Sequence, residues 1–149
     1  MKTKNDLVQG WLQKAESDLA NAKMCIASNQ ALDTACFHAQ QAAERCIKAY
    51  LTAHDIEFPF IHNLEKLIEL CATADTSFTT LKPLAQDLTP YAVGLRYDNE
   101  FWPSVETAQQ ALDSALTIQA FVTERLSSEM EPKEEGSSDE EANTFGDSS

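Results

Sequence analysis

The sequence predicts an all-α chain: an up-and-down bundle of four to five helices followed by a disordered acidic C-terminal tail. Three observations point to it. Apolar residues recur three or four apart as far as Leu126, the period of helices that bury one face. Strand-like alternation is absent, and only four glycines interrupt the 149 residues. The charge is also uneven: Glu129 to Ser149 hold eight acids and one base, a net of -7 within a whole-chain charge of -13. These bound one helical domain over residues 1–128 and a tail over 129–149.

The first helix is expected from about Asn5 to Ser28, with Val8, Trp11, Leu12, Ala15, Leu19, Ala22 and Ile26 on its apolar side. Asn5 or Asp6 can cap its start by accepting a backbone N–H bond. The second helix is expected from about Gln30 to His54. Its stripe of Leu32, Ala35, Ala39, Ala42, Ala43, Cys46, Ile47 and Tyr50 is unusually small-sided. Small side chains let helix axes approach closely, so this is expected to be the central helix.

A loop through Glu57-Phe58-Pro59-Phe60-Ile61 leads to Asn63, an N-cap with Glu65 in the first turn of a third helix. That helix carries Leu64, Leu67, Ile68 and Cys71. Asp75-Thr76-Ser77 caps a fourth segment with Phe78, Leu81, Leu84, Ala85 and Leu88, which Thr89-Pro90 should bend or interrupt. After the turn Tyr97-Asp98-Asn99-Glu100, a last helix starts near Pro103 or Ser104 and runs to about Leu126. From Ser127 onward large apolar residues nearly vanish. Such a segment cannot offset its ordering entropy and is expected to be disordered, with solubility or partner binding as its role.

Cys25, Cys36, Cys46 and Cys71 form no C-x-x-C pair and fall inside apolar patterns. They read as buried reduced thiols, and no metal site or cofactor is expected. The first residues lack a signal peptide's apolar stretch, and no window is long and apolar enough to span a bilayer. A cytoplasmic location without membrane contact follows as an expectation. An acidic domain is a poor general binder of nucleic acid, although a dimer can gather a few arginines in one cleft.

Several segments fall in a recognisable order: Trp11-Leu12-x-Lys14-Ala15-Glu16-x-Asp18-Leu19, then Ala35-Cys36-Phe37-His38-Ala39-Gln40-Gln41-Ala42-Ala43-Glu44-Arg45-Cys46-Ile47-Lys48-Ala49-Tyr50-Leu51, then His62-Asn63-Leu64 and Arg96-Tyr97-Asp98. Over about Leu7 to Leu126 the chain resembles the HEPN family. The resemblance implies a bundle of four or five helices that usually dimerises. Family members include metal-independent ribonucleases, many of them toxins paired with small nucleotidyltransferase antitoxins, and also non-catalytic copies. The family's ribonuclease motif is an Arg followed about one and a half turns later by a His. The Arg offers a forked cation to the scissile phosphate, and the His moves the proton of the attacking 2′-hydroxyl.

Arg96 takes the Arg position, and the turn resembles the subfamily with Arg-Tyr-Pro-Asp there, without the Pro after Tyr97. No His follows Arg96; His38, His54 and His62 all precede it. The expected function is therefore a dimeric HEPN interaction module, paired with a nucleotidyltransferase in a toxin–antitoxin or defence-type system. Two alternatives stay open: a metal-independent ribonuclease in which Arg96 works with His38 or His62, and a nucleotide-binding module. Arg96 is the candidate catalytic residue, and Arg96, Tyr97, His62 and Lys48 are the candidates for contact with a nucleotide or phosphate. Phe37, His38, Gln41, Glu44 and Lys48 share a side of the second helix and form the candidate partner or dimer face. Arg96 pairing with Asp98 or Glu100, His38 as a satisfied interior His and Glu44–Lys48 as an ordinary i, i+4 pair are the structural readings of the same residues.

Overall fold

The computed structural model describes residues 1–92 and 99–130. Among them are five α-helices and no strand. They are α1 (Lys4–Ser28), α2 (Leu32–Ala53), α3 (Leu64–Ala72), α4 (Lys82–Leu88) and α5 (Val105–Met130), with 3₁₀ turns at Thr76–Leu81 and Thr89–Tyr91 on either side of α4. The all-α bundle expected from the sequence is the architecture found.

α1 starts one residue earlier than the apolar period suggests, because its cap is Thr3 rather than Asn5 or Asp6. The Thr3 hydroxyl accepts from the Asp6 N–H at 3.0 Å, and the Asp6 carboxylate accepts in return from the Thr3 N–H at 3.0 Å. This reciprocal capping box satisfies two backbone donors that the first turn would otherwise leave open. α1 ends on Asn29 in the left-handed conformation, φ 55°. Asn tolerates that region better than most residues. Three residues later the chain has reversed into α2.

The pairings along the hairpin show the two helices antiparallel, with Trp11 beside Lys48 and Asp18 beside Arg45. α2 packs on α1 and α5 more extensively than on any other element. Ala35, Ala39, Ala42, Ala43, Cys46, Ile47 and Tyr50 are buried, so the small-sided stripe is the centre of the core. Around it sit Leu19, Leu51, Leu64, Leu67, Ile68, Phe78, Leu88 and Ile118. Tyr50, Phe78 and Phe121 continue the core as a run of ring contacts with centroids 4.4 and 4.9 Å apart.

The connection from α2 to α3 departs from a simple up-and-down path. Residues 54–63 turn back along α2 before α3 begins. The His62 carbonyl accepts from Gln40 Nε2 at 3.3 Å, while Cys71 at the end of α3 reaches the level of Ile47. α3 therefore runs in the same sense as α2, and the intervening loop lies over the α1–α2 seam. Asn63 caps α3 as expected, its side-chain oxygen accepting from Lys66 N–H at 3.3 Å.

The single fourth segment read from the sequence is split in two. Pro83 cannot donate to a preceding carbonyl and its ring crowds that turn, so a 3₁₀ turn precedes the α-helical part. Asp75 caps that turn by accepting from the Ser77 N–H and hydroxyl, and Arg125 of α5 bonds the other Asp75 oxygen at 3.1 Å. Thr89-Pro90 ends α4 in a second 3₁₀ turn. Ser104 caps α5 through the Thr107 N–H at 3.1 Å. α5 runs to Met130, two residues beyond the expected domain boundary, and Glu129 in its last turn meets His54 at the end of α2, 2.8 Å from Nε2. The remainder of the expected tail, 131–149, lies outside the described residues.

Candidate functional site

The polar residues of the α1–α2 seam form two units, each built on a buried carboxylate. Asp18 is 4% exposed although it stands on the apolar side of α1, between Ala15 and Ala22. His38 Nδ1 lies 2.8 Å from its Oδ1, and Arg45 Nη1 bonds its Oδ2. His38 and Arg45 are seven residues apart, two helical turns, so both reach the same carboxylate from one side of α2.

The second unit is Glu44, 3% exposed. It accepts from Lys48 Nζ at 2.7 Å and from Gln40 Nε2 at 3.1 Å, and His62 Nδ1 lies 3.1 Å away. Gln41 extends this unit by donating to Gln40 Oε1 at 2.8 Å. Lys48, 6% exposed, has its ammonium 5.6 Å from both the Trp11 and Phe58 ring centroids. Two aromatic faces and a carboxylate thus replace its water. Burying this cation and anion is tolerable only because each has several partners.

The structure unites His62, Gln41, Glu44 and Lys48 in one network, but it changes the meaning of the face. The sequence places Gln41, Glu44 and Lys48 on a side open to a partner. All three are instead buried within the chain, Glu44 against His62 of the returning loop and Lys48 beneath Trp11 of α1 and Phe58 of that loop, so they are not available as a docking surface. Phe37 and His38 remain half-buried, with their rings edge-on at 5.3 Å. Arg96 and Tyr97 lie outside the described residues. The chain on either side of them is held together, since Tyr91 and Phe101 stack with centroids 5.7 Å apart. Burial pushes the Tyr91 phenol pKa up, and nearby Cys36 and Asp87 push the same way, which puts this junction close to the N-terminal half of α2.

Sequence reasoning misses Asp18 and Arg45 as site residues. Their signals are present: an acid inside an apolar stripe, and a base two turns after a His on the same helix. Trp11 and Phe58 carry no such signal, because an aromatic over a buried ammonium looks like any core aromatic.

The cysteines belong to the core. Burial raises the Cys36 thiol to about 11 and the Cys46 thiol to about 12, with smaller contributions from Asp33 at the first and from Glu16 and Asp18 at the second. Burial also raises Cys71. Protonated thiols are poor nucleophiles and poor metal ligands. No cluster of three or more metal-binding side chains occurs among the described residues, and none of the described helices is long and apolar enough to cross a membrane.

Comparison with known proteins agrees with this architecture. The family model described as HEPN domain matches residues 8–126. The crystal structure of an archaeal HEPN homologue superposes with a TM-score of 0.64 at 22% identity, covering 85% of this chain and 99% of the other. The crystal structure of TT1696 from Thermus thermophilus superposes with a TM-score of 0.66 at 27% identity, covering 79% and 97%. No curated protein matches the chain.

Proposed function

Because the chain belongs to the HEPN family, we propose that it acts as a dimeric HEPN interaction module, paired with a nucleotidyltransferase in a toxin–antitoxin or defence-type system. The observation that carries this reading is the disposition of the histidines. The chain has three, none after Arg96, and each is engaged by a carboxylate: His38 by Asp18, His54 by Glu129 and His62 by Glu44. The Arg-then-His order of the family's ribonucleases is missing, and His62 is committed to the network that holds the loop over α2. Phe60 and Trp102 stand largely in solvent and offer aromatic contact area to a partner. Size-exclusion chromatography with light scattering, alone and with a co-purified nucleotidyltransferase, tests it. A dimer that retains the second protein is expected; a strict monomer at micromolar concentration counts against it.

One observation favours a ribonuclease instead. With Nδ1 on Asp18, His38 can keep Nε2 as a free acceptor, and its side chain is 24% exposed. A carboxylate-oriented imidazole is the arrangement of a general base. Cleavage of RNA in the presence of a chelator, lost in both Arg96→Ala and His38→Ala, would select that reading. Equal activity in wild type and variants would remove it.

A further inference from the structure

A second polar cluster lies in a cleft between α4 and α5, apart from the α1–α2 seam. Asp87 and Tyr91 face Thr107, Gln110, Ala111 and Ser114 across a cavity of about 160 Å³. The α5 residues recur three or four apart, and so line one side of that helix. Ser114 is only 9% exposed, and its hydroxyl has no hydrogen-bond partner among the described residues. The Asp87 carboxylate, the Tyr91 hydroxyl and the Gln110 amide are likewise unpartnered there, whereas the Thr107 hydroxyl is engaged by Ser104 at 3.1 Å. Buried hydroxyls normally have partners. Asp87 and Gln110 are exposed and Tyr91 is half-buried, so water reaches them; the Ser114 hydroxyl is the buried group in the cleft whose bond a ligand would supply.

The chemistry of the lining narrows the ligand. Among the described lining residues there is no Lys, Arg or His, and these side chains suit phosphate or carboxylate poorly. Asp87 can only accept, and the hydroxyls and the amide oxygen can accept as well. Together they present five acceptor oxygens, two from Asp87 and one each from Tyr91, Gln110 and Ser114. A substituted guanidinium carries five N–H donors in a plane, and an ammonium only three. At about 160 Å³ the space is large enough for a guanidinium and the end of its stem. The acidic chain, at a formal -13, draws cations toward it. We infer that the α4–α5 cleft binds a guanidinium group, held by Asp87 and by the oxygens of Tyr91, Gln110 and Ser114. The group belongs either to a free small guanidine or to an arginine side chain of another protein.

The test is a titration of the full chain, followed by NMR, with agmatine and with an acetyl-Gly-Arg-Gly-amide peptide; butylamine and inorganic phosphate serve as controls. Saturable shifts centred on Asp87, Tyr91, Gln110 and Ser114 are expected. Asp87→Asn, a change at an exposed position, should weaken binding about tenfold or more, the worth of a hydrogen bond to a charged group, while leaving the melting temperature unchanged. Ser114→Ala should weaken it less. Tighter binding of agmatine assigns the site to a free ligand, and tighter binding of the peptide assigns it to a protein side chain. No saturation by either at millimolar concentration, undiminished binding by Asp87→Asn, equal affinity for butylamine, or competition by phosphate would each overturn the assignment.

Discussion

Glu44 and Lys48, one turn apart on α2, form an ion pair of 2.7 Å in which both side chains are almost entirely shielded from water. Most i, i+4 pairs on helices are solvated and contribute little. This one is different because the 54–63 loop lies over it. Lys48→Met would leave the Glu44 carboxylate buried without its cation, at an expected cost of about 3–5 kcal/mol. Glu44→Leu combined with Lys48→Met should recover most of that loss, since no uncompensated charge remains. Urea midpoints of the four species check it; simple additivity of the two single losses would show that the charges do not depend on each other.

The Ala-lined side of α2 sets a second expectation. Ala39 and Ala43 have no exposed surface, and both lie on the helix most embedded in the bundle. Ala39→Leu or Ala43→Leu must displace neighbouring helices and should destabilise by about 1–3 kcal/mol. A melt of either variant that matches wild type would contradict the placement of this side in the core.

Asp75 gives a pH dependence of known sign. Hydrogen bonds from the Ser77 hydroxyl and N–H lower its pKa from the ordinary 3.8, and Arg125 adds to the effect. The folded state therefore holds this proton more weakly than the unfolded state. Its stabilising contribution is complete above the unfolded pKa and is lost as pH falls through the lower, folded value. The stability difference between wild type and Asp75→Asn should be constant near neutrality and shrink only below about pH 4. A difference that changes between about pH 6 and 8, where no carboxylate of ordinary or lowered pKa titrates, would assign the effect to another group.

Thiol labelling reads the core directly. Cys36, Cys46 and Cys71 are buried with raised pKa values, whereas Cys25 is half-buried. A thiol-reactive dye at about pH 8, near the ordinary thiol pKa, should modify Cys25 first. The other three should react at the rate of unfolding, and all four at once in denaturant. Rapid native labelling of Cys46 would mean that the α1–α2 contact opens readily.

The legible and the hidden features divide along physical lines. The caps at Asn63 and Asp75, the small-sided stripe of α2 and the break at Thr89-Pro90 are legible because they depend on residues a few places apart. The face holding Gln41, Glu44 and Lys48 reads as open, wrongly, because what covers it is a matter of loop path. Nothing in Phe58-Pro59-Phe60 states that Phe58 turns inward over Lys48 while Phe60 points to solvent. Asp18 stands out by its place between Ala15 and Ala22, but its partners His38 and Arg45 are fixed by the register of two helices. The α4–α5 cleft leaves no sequence signal, since Asp87, Tyr91, Gln110 and Ser114 look like ordinary surface residues until the two helices are set side by side.

The returning loop makes the seam a hydration-controlled joint. An apolar seam would resist separation by the full cost of wetting it. Here, lifting Phe58 and His62 away from α2 would admit water to Glu44 and Lys48, and the hydration those charges regain would offset part of the cost of exposing the aromatic faces. The 54–63 segment is thus fastened by its charges when closed and helped by the same charges when it opens.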